Sequence, residues 1–258
     1  MGVERRDAIL RWLLPTLIVC ALLGLWQLAA EWHVLADAFG IEPFLIPSPS
    51  EIAQALWEDR ALLADNAWVT LQEIVLGFAC ALAAGLGFAL LLHLSETLRR
   101  AFYPLLVASQ TVPVIVVAPI LVVWFGFGIG PKLAIIALIC FFPITVNTLD
   151  GLRSVDPDAV KMMRTLDASR WGVLRRVEAP TALPYTFSGA KVAVAVAPIG
   201  AFIAELSGAT KGLGVVINSA GAQVLIPRQF AAVVVLSVMA IALFALLALL
   251  EKRVVRWR

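Results

Sequence analysis

Long apolar runs, each closed by a cluster of charge, set the pattern of this chain. Crossing about 30 Å of hydrocarbon takes roughly 20 apolar residues in a helix, because a backbone group left unpaired in lipid is costly. Stretches near 13–30, 68–92, 101–131, 133–149, 185–207 and 229–250 meet that need. The first has an apolar core longer than a signal peptide's and reads as an uncleaved anchor. The third, uncharged between Arg100 and Lys132, is long for one crossing and predicts a tilted or kinked helix broken by Pro113 and Pro119. Lys191 and Glu205 weaken the fifth, and the sixth is uninterrupted.

The position of the cations predicts the topology. Lys and Arg gather before the first run (Arg5, Arg6, Arg11), in the second connection (Arg99, Arg100), in the fourth (Arg153, Lys161, Arg164, Arg170, Arg175, Arg176) and in the tail (Lys252, Arg253, Arg256, Arg258). These segments are expected in the cytoplasm. The connection over 31–67 is acidic, with Asp37, Glu42, Glu51, Glu58, Asp59 and Asp65 among its charges, and it is expected outside with Lys132, Lys211 and Arg228. The expectation is an all-α integral membrane protein of six transmembrane helices with cytoplasmic N- and C-termini. No repeat or soluble domain shows, so residues 1–258 read as a single membrane domain.

Composition agrees: 61% of residues are hydrophobic and 15% charged. A net charge of +2 supplies no basic field for nucleic acid. Cys20, Cys80 and Cys140 stand apart in apolar runs, and His33 and His93 are distant from one another, so neither a disulfide framework nor a metal site is expected. There is no GxxxxGK[ST] and no paired acidic metal site, the marks of a chain that hydrolyses ATP itself.

The longest interior polar stretch, about residues 151–184, carries the candidate chemistry. Asp156, Pro157 and Asp158 form a helix start: a capping side chain, proline at the first helical position, then an acid near the positive end of the dipole. That helix is expected to reach about Leu166. Asp167 falls where the chain must turn, in a left-handed conformation that its short side chain tolerates. Ser169 is placed to cap a second helix over Arg170 to Val177, which Pro180 is expected to end. Val160, Met163 and Leu166 form one apolar stripe, and Trp171, Leu174 and Val177 another. Such basic, amphipathic pieces suit either an inner leaflet or the groove of a soluble partner.

The stretch "KMMRTLDASRWGVLRRVEAPTALP" resembles the cytoplasmic loop motif of bacterial ABC importer permeases: EAA, then Gly, then a downstream LP. Lys161, Met162 and Met163 occupy the EAA positions, Asp167 the Gly position, and Ala179 and Pro180 the LP position. "PSPSEIAQALW", "TLQEIVLGF", "SQTVPVIVVAPILVVWFGFGIGPK", "CFFPITVNTLDGLRSVDPD" and "AELSGATKGLG" extend the likeness to the nitrate, sulfonate and taurine branch. Lys161 with its two methionines is similar to permeases for thiamine precursors such as hydroxymethylpyrimidine and its formyl-amino relative.

The resemblance implies the type I importer permease fold in a bacterial inner membrane. It also implies a homodimer, with two copies of a cytoplasmic ATPase and an extracytoplasmic substrate-binding protein. ATP and Mg would be used by the ATPase, with no cofactor on this chain. Contact with the ATPase would fall to Val160, Lys161, Met163, Arg164, Leu166, Asp167, Ala168, Ser169, Arg170, Trp171 and Pro180. A small polar solute is the implied cargo, a thiamine pyrimidine precursor first, with nitrate, sulfonate, taurine or riboflavin as alternatives.

Within the spans, Gln110, Thr111, Asn147 and Glu205 are candidates for the translocation pathway, and hydrogen bonding between helices is the competing role. Lys191 is expected to snorkel to the inner interface and Glu73 to pack against a neighbour. Gly77, Gly85 and Gly87 are expected at close helix contacts, and Pro113, Pro119 and Pro198 at kinks. An ATPase-independent secondary transporter would show polar groups repeated through the spans, and a membrane-embedded enzyme a cluster of His or carboxylates at one depth. The sequence carries neither.

Overall fold

The computed structural model describes residues 2–33, 40 and 42–256, with side chains from residue 13 onward. Arg5, Arg6, Arg11, Asp37 and Arg258, which entered the topology, lie outside the described residues or side chains.

The described chain is helical: α1 (Gly2–Glu31), a 3-10 turn (Pro43–Leu45), α2 (Pro49–Glu58), α3 (Arg60–Leu94), α4 (Glu96–Ser109), α5 (Val114–Phe125), α6 (Ile129–Arg153), α7 (Pro157–Thr165), α8 (Arg170–Val173), a π-turn (Leu174–Glu178), α9 (Ala179–Leu206), α10 (Leu213–Ala222) and α11 (Ile226–Val254). Among the described residues, five stretches are long and apolar enough to cross a membrane: Leu13–Glu31, Arg60–Leu94, Ile129–Arg153, Arg170–Leu206 and Ile226–Val254. A sixth crossing exists if α4 and α5 together count as one.

That third span departs from the expected kinked helix. α4 and α5 are bent by 101° at a break. Gln110 and Thr111 close α4 by turn bonds to Val107 and Ala108, and Pro113 precedes the first residue of α5. Pro113 cannot donate a backbone hydrogen bond and biases Val112 away from helix, so the axis breaks there. Pro119 remains inside α5.

The chain divides into two compact units. In the first, residues 1–64 and 216–234, α2 begins with a capping box: Ser48 accepts from the Glu51 amide while the Glu51 carboxylate accepts from the Ser48 amide. Gln27 of α1 fixes this start by bonding both the amide and the hydroxyl of Ser50 at 3.0 and 2.9 Å. At the far end of α2, Asp59 takes a two-pronged contact from Arg228 at 2.6 and 2.8 Å.

In the second unit, residues 65–215 and 235–258, the core lies where α3, α6 and α9 meet. Ile74 and Ala81, then Ile136, Cys140 and Ile144, then Ala193, Ala197 and Ala201 form it, with Met239 and Leu243 of α11 against it. Small residues permit the approach: a Cβ on Gly77 would stand 2.7 Å from Ile136, and one on Gly85 2.8 Å from Ile144. Gly189 lies against the Pro143 carbonyl at 2.5 Å by the same measure. Lipid tails offer no hydrophobic drive between helices, so close backbone packing supplies the attraction. Gly87 faces open space instead of a helix contact. Lys191, expected to snorkel to the inner interface, pairs with Glu251 of α11 at 2.6 Å.

Candidate functional site

The loop over 151–184 folds largely as its residues dictate. Asp156 accepts from the Asp158 amide at 2.9 Å, with Pro157 at the first position of α7. α7 ends in a Schellman arrangement: the Ala168 amide donates to the Met163 carbonyl and the Asp167 amide to that of Arg164, both at 3.1 Å. Asp167 has φ of 54°, the left-handed conformation expected of it. Ser169 then caps α8 by accepting from the Gly172 amide at 3.1 Å. Asp167→Gly is therefore expected to retain transport. Asp167→Val, which must place a β-branched side chain in a conformation costing about 1–2 kcal/mol, is expected to lose several-fold in initial uptake rate.

Pro180 does not end the second helix. After Val173 the chain widens into the π-turn and runs on as α9, so Arg170–Leu206 forms one continuous helical stretch. Pro180 sits in the first turn of α9, and the Thr181 hydroxyl donates to the Val177 carbonyl at 2.8 Å. The i→i+5 bonding of the π-turn carries the backbone past a proline that lacks its own donor.

The loop's apolar residues divide between an inner and an outer set. Leu174 is buried with Leu152 and Ala182, Val173 is buried too, and Val160, Met163 and Ala168 are half-buried. Met162, Leu166 and Trp171 stand out at 60%, 72% and 63% exposure. Two turns of helix and a tight hairpin thus lift three large apolar side chains off the bundle. Arg164 is exposed and Lys161 pairs with Asp158 at 2.8 Å, while Arg170 turns inward to the Leu94 carbonyl at 2.5 Å.

The pathway candidates are not gathered at one place. Gln110 and Thr111 are exposed at the α4–α5 break. The Asn147 amide donates to the Pro143 carbonyl of its own helix at 2.8 Å. Glu205 is near Ile135, since Ala204 packs on Ile135, and Asn147 lies about 18 Å farther along α6 at 1.5 Å per residue.

Glu205 is 1% exposed and organises a polar cluster that sequence reasoning did not assemble. The Thr70 hydroxyl donates to its Oε1 at 2.6 Å and the Gly214 amide to Oε2 at 2.5 Å. Thr70 in turn accepts from the Leu213 amide at 2.8 Å, and Asn66 accepts from the Gly212 amide at 2.8 Å. Gly212 has φ of 134°, and a Cβ on it would collide with the Glu205 carboxylate. Beside this cluster Lys132 Nζ meets Glu73 Oε1 at 2.5 Å, and Glu73, Glu205 and Lys132 interact electrostatically as a group. A cavity of about 400 Å³ opens there, lined by Val69, Glu73, Phe127, Lys132, Gly208 and Thr210. The signal was available: Asn66, Thr70 and Glu73 recur at helical spacing on one face of an apolar helix.

Residues 75–256 match the family of binding-protein-dependent transport system inner membrane components. The chain belongs to this family: it is a permease subunit of an ABC importer, resident in the inner membrane, and ATP hydrolysis belongs to a separate ATPase. It is 38% identical to the formylaminopyrimidine transport permease protein ThiX of Halalkalibacterium halodurans, over 95% of each chain. It is 36% identical to the riboflavin transport system permease protein RibX of Chloroflexus aurantiacus, over 90% of this chain and 88% of that one. Among solved structures, the MetNI methionine ABC transporter in an inward-facing conformation shares the fold with a TM-score of 0.62, at 19% identity, over 77% of this chain and 97% of that one.

Proposed function

We propose that the chain is one half of a homodimeric importer that takes up a thiamine pyrimidine precursor, and that its 157–178 loop seats on a cytoplasmic ATPase, one copy per permease. The observation that carries the docking role is the exposure of Met162, Leu166 and Trp171 on a hairpin whose caps and left-handed turn hold it rigid. Lys161 and Arg164 form a charged rim, where charge tunes recognition more than affinity. ATP and Mg are bound by the ATPase, and this chain needs no cofactor.

Two groups of contacts support the topology. His93, Leu94 and Glu96 meet Arg153, Arg170 and Glu178, whereas Asn66, Thr70 and Glu73 meet Lys132, Glu205 and Gly212. The cation-rich connections therefore share one end of that unit and the cation-poor ones the other, and the positive-inside rule assigns the first end to the cytoplasm. With α4 and α5 as one broken crossing, both termini fall on that side, and residues 1–258 work as one membrane domain.

The cargo assignment rests on similarity to the formylaminopyrimidine permease along nearly the whole chain. Vesicles containing the permease, its ATPase and its binding protein are expected to import a labelled pyrimidine precursor and to ignore riboflavin, taurine and nitrate. Riboflavin import instead would transfer the assignment to the second relative.

A further inference from the structure

Polar contacts tie the loop to the C-terminal turn of α3. Arg170 donates to the carbonyl of Leu94, the last residue of α3, at 2.5 Å. His93 Nε2 meets Glu178 Oε2 at 2.9 Å, with side chains only 15% and 17% exposed. The last carbonyls of a helix have no partner within it, and a cation there also meets the negative end of the dipole. Arg153 approaches Glu96, just beyond the same turn, at 3.8 Å. Leu90, one turn before Leu94, packs on the Leu152, Leu174 and Ala182 cluster beneath the loop.

α3 itself is a single helix of 35 residues without proline, about 50 Å of rod at 1.5 Å per residue. α9, the other helix that leaves the loop, is preceded by the π-turn and contains Pro184 and Pro198. The far part of α3 carries Asn66, Thr70 and Glu73, and through them grips the Gly212 and Leu213 amides, Glu205 and Lys132. One stiff element thus has the loop at one end and the turn over 207–214 at the other.

We propose that α3 is the push rod of this permease, with His93 and Glu178 as positioning residues that carry a displacement of the loop into it and so move the 207–214 turn at the opposite end. This rests on the docking reading given above. A push from the loop reaches α3 through two polar contacts, Arg170 on the Leu94 carbonyl and His93 on Glu178. The buried Glu205 and Asn66 contacts leave the turn no independent position.

The test uses the full transporter in lipid vesicles, with Cys20, Cys80 and Cys140 replaced by serine and a reporter thiol at the exposed Thr210 (Thr210→Cys). Labelling by a hydrophilic maleimide is timed with and without ATP, and ATP hydrolysis is measured alongside. ATP is expected to change the labelling rate about tenfold in the parent, His93→Ala to erase that change while hydrolysis stays within about twofold, and Glu178→Ala to erase it as well. His93→Gln keeps an N–H donor for Glu178 and is expected to restore most of the response. The double variant is expected to be no worse than either single one, as for two halves of one contact. An ATP response that survives in both alanine variants overturns the inference, as does His93→Gln behaving like His93→Ala. A parent chain that fails to retain the ATPase overturns the docking reading itself. Variants that assemble and hydrolyse ATP yet respond normally overturn the push rod alone.

Discussion

Leu166→Glu combined with Trp171→Glu is expected to abolish recovery of the ATPase with the purified permease while leaving the amount of permease in the membrane unchanged. Both side chains are mostly exposed, at 72% and 63%, so their replacement removes little packing from the bundle. Under the docking role proposed above, the same two positions would become buried anchors in the groove of the ATPase. Large apolar anchors of this kind are worth about 2 kcal/mol each on truncation, and together about 4 kcal/mol, a loss on the order of 1000-fold in affinity. Burying two carboxylates adds a desolvation cost to that loss. Pull-down from detergent extract measures it, and undiminished ATPase recovery at normal permease levels would exclude the hairpin as the docking point.

Lys132→Met is expected to lower the thermal midpoint of the detergent-purified permease by roughly 10 °C, from a loss of about 3–5 kcal/mol. Lys132 is the cation held by Glu73, and the side chains are 16% and 4% exposed. Removing it leaves Glu73 and Glu205 as neighbouring buried carboxylates without a counter-charge. Adding Glu73→Gln to Lys132→Met removes one of those charges and is expected to recover most of the loss. Fluorescence-detected unfolding of the four proteins of this cycle gives the answer. A single variant as stable as the parent would show that the pair carries no net weight.

Much of this was legible in the residue order because the signals were local. Span positions follow from runs of apolar residues, and the hairpin from Asp156, Pro157, Asp167 and Ser169, each acting on backbone within a few positions of itself. The break before α5 was harder. A proline is visible in sequence, but whether it kinks a span or splits it depends on what surrounds it, and here Gln110 and Thr111 close α4 before Pro113 is reached. Pro180 misled for a related reason, since a helix that inserts a wider turn can pass a proline that an ideal α-helix cannot.

The polar cluster was the least legible part. Glu205 stood out as a charge in a span, but its partners Thr70 and Gly214 lie on other elements, and the first is 135 positions away. Glu73 and Lys132 were each seen alone as lone charges of opposite sign. Their pairing, and that of Lys191 with Glu251, depends on how helices distant in sequence are set side by side.

The π-turn over Leu174–Glu178 also fixes a rotational phase. Each residue advances an α-helix by about 100°, and a π-turn holds one residue more than an α-turn in the same length. The direction in which Trp171 leaves the molecule is therefore set, relative to every side chain of α9, by a single extra amino acid. A relative lacking that residue would present its hairpin to an ATPase about a quarter-turn away, so matched pairs of permease and ATPase need not be interchangeable even where their contact residues are the same.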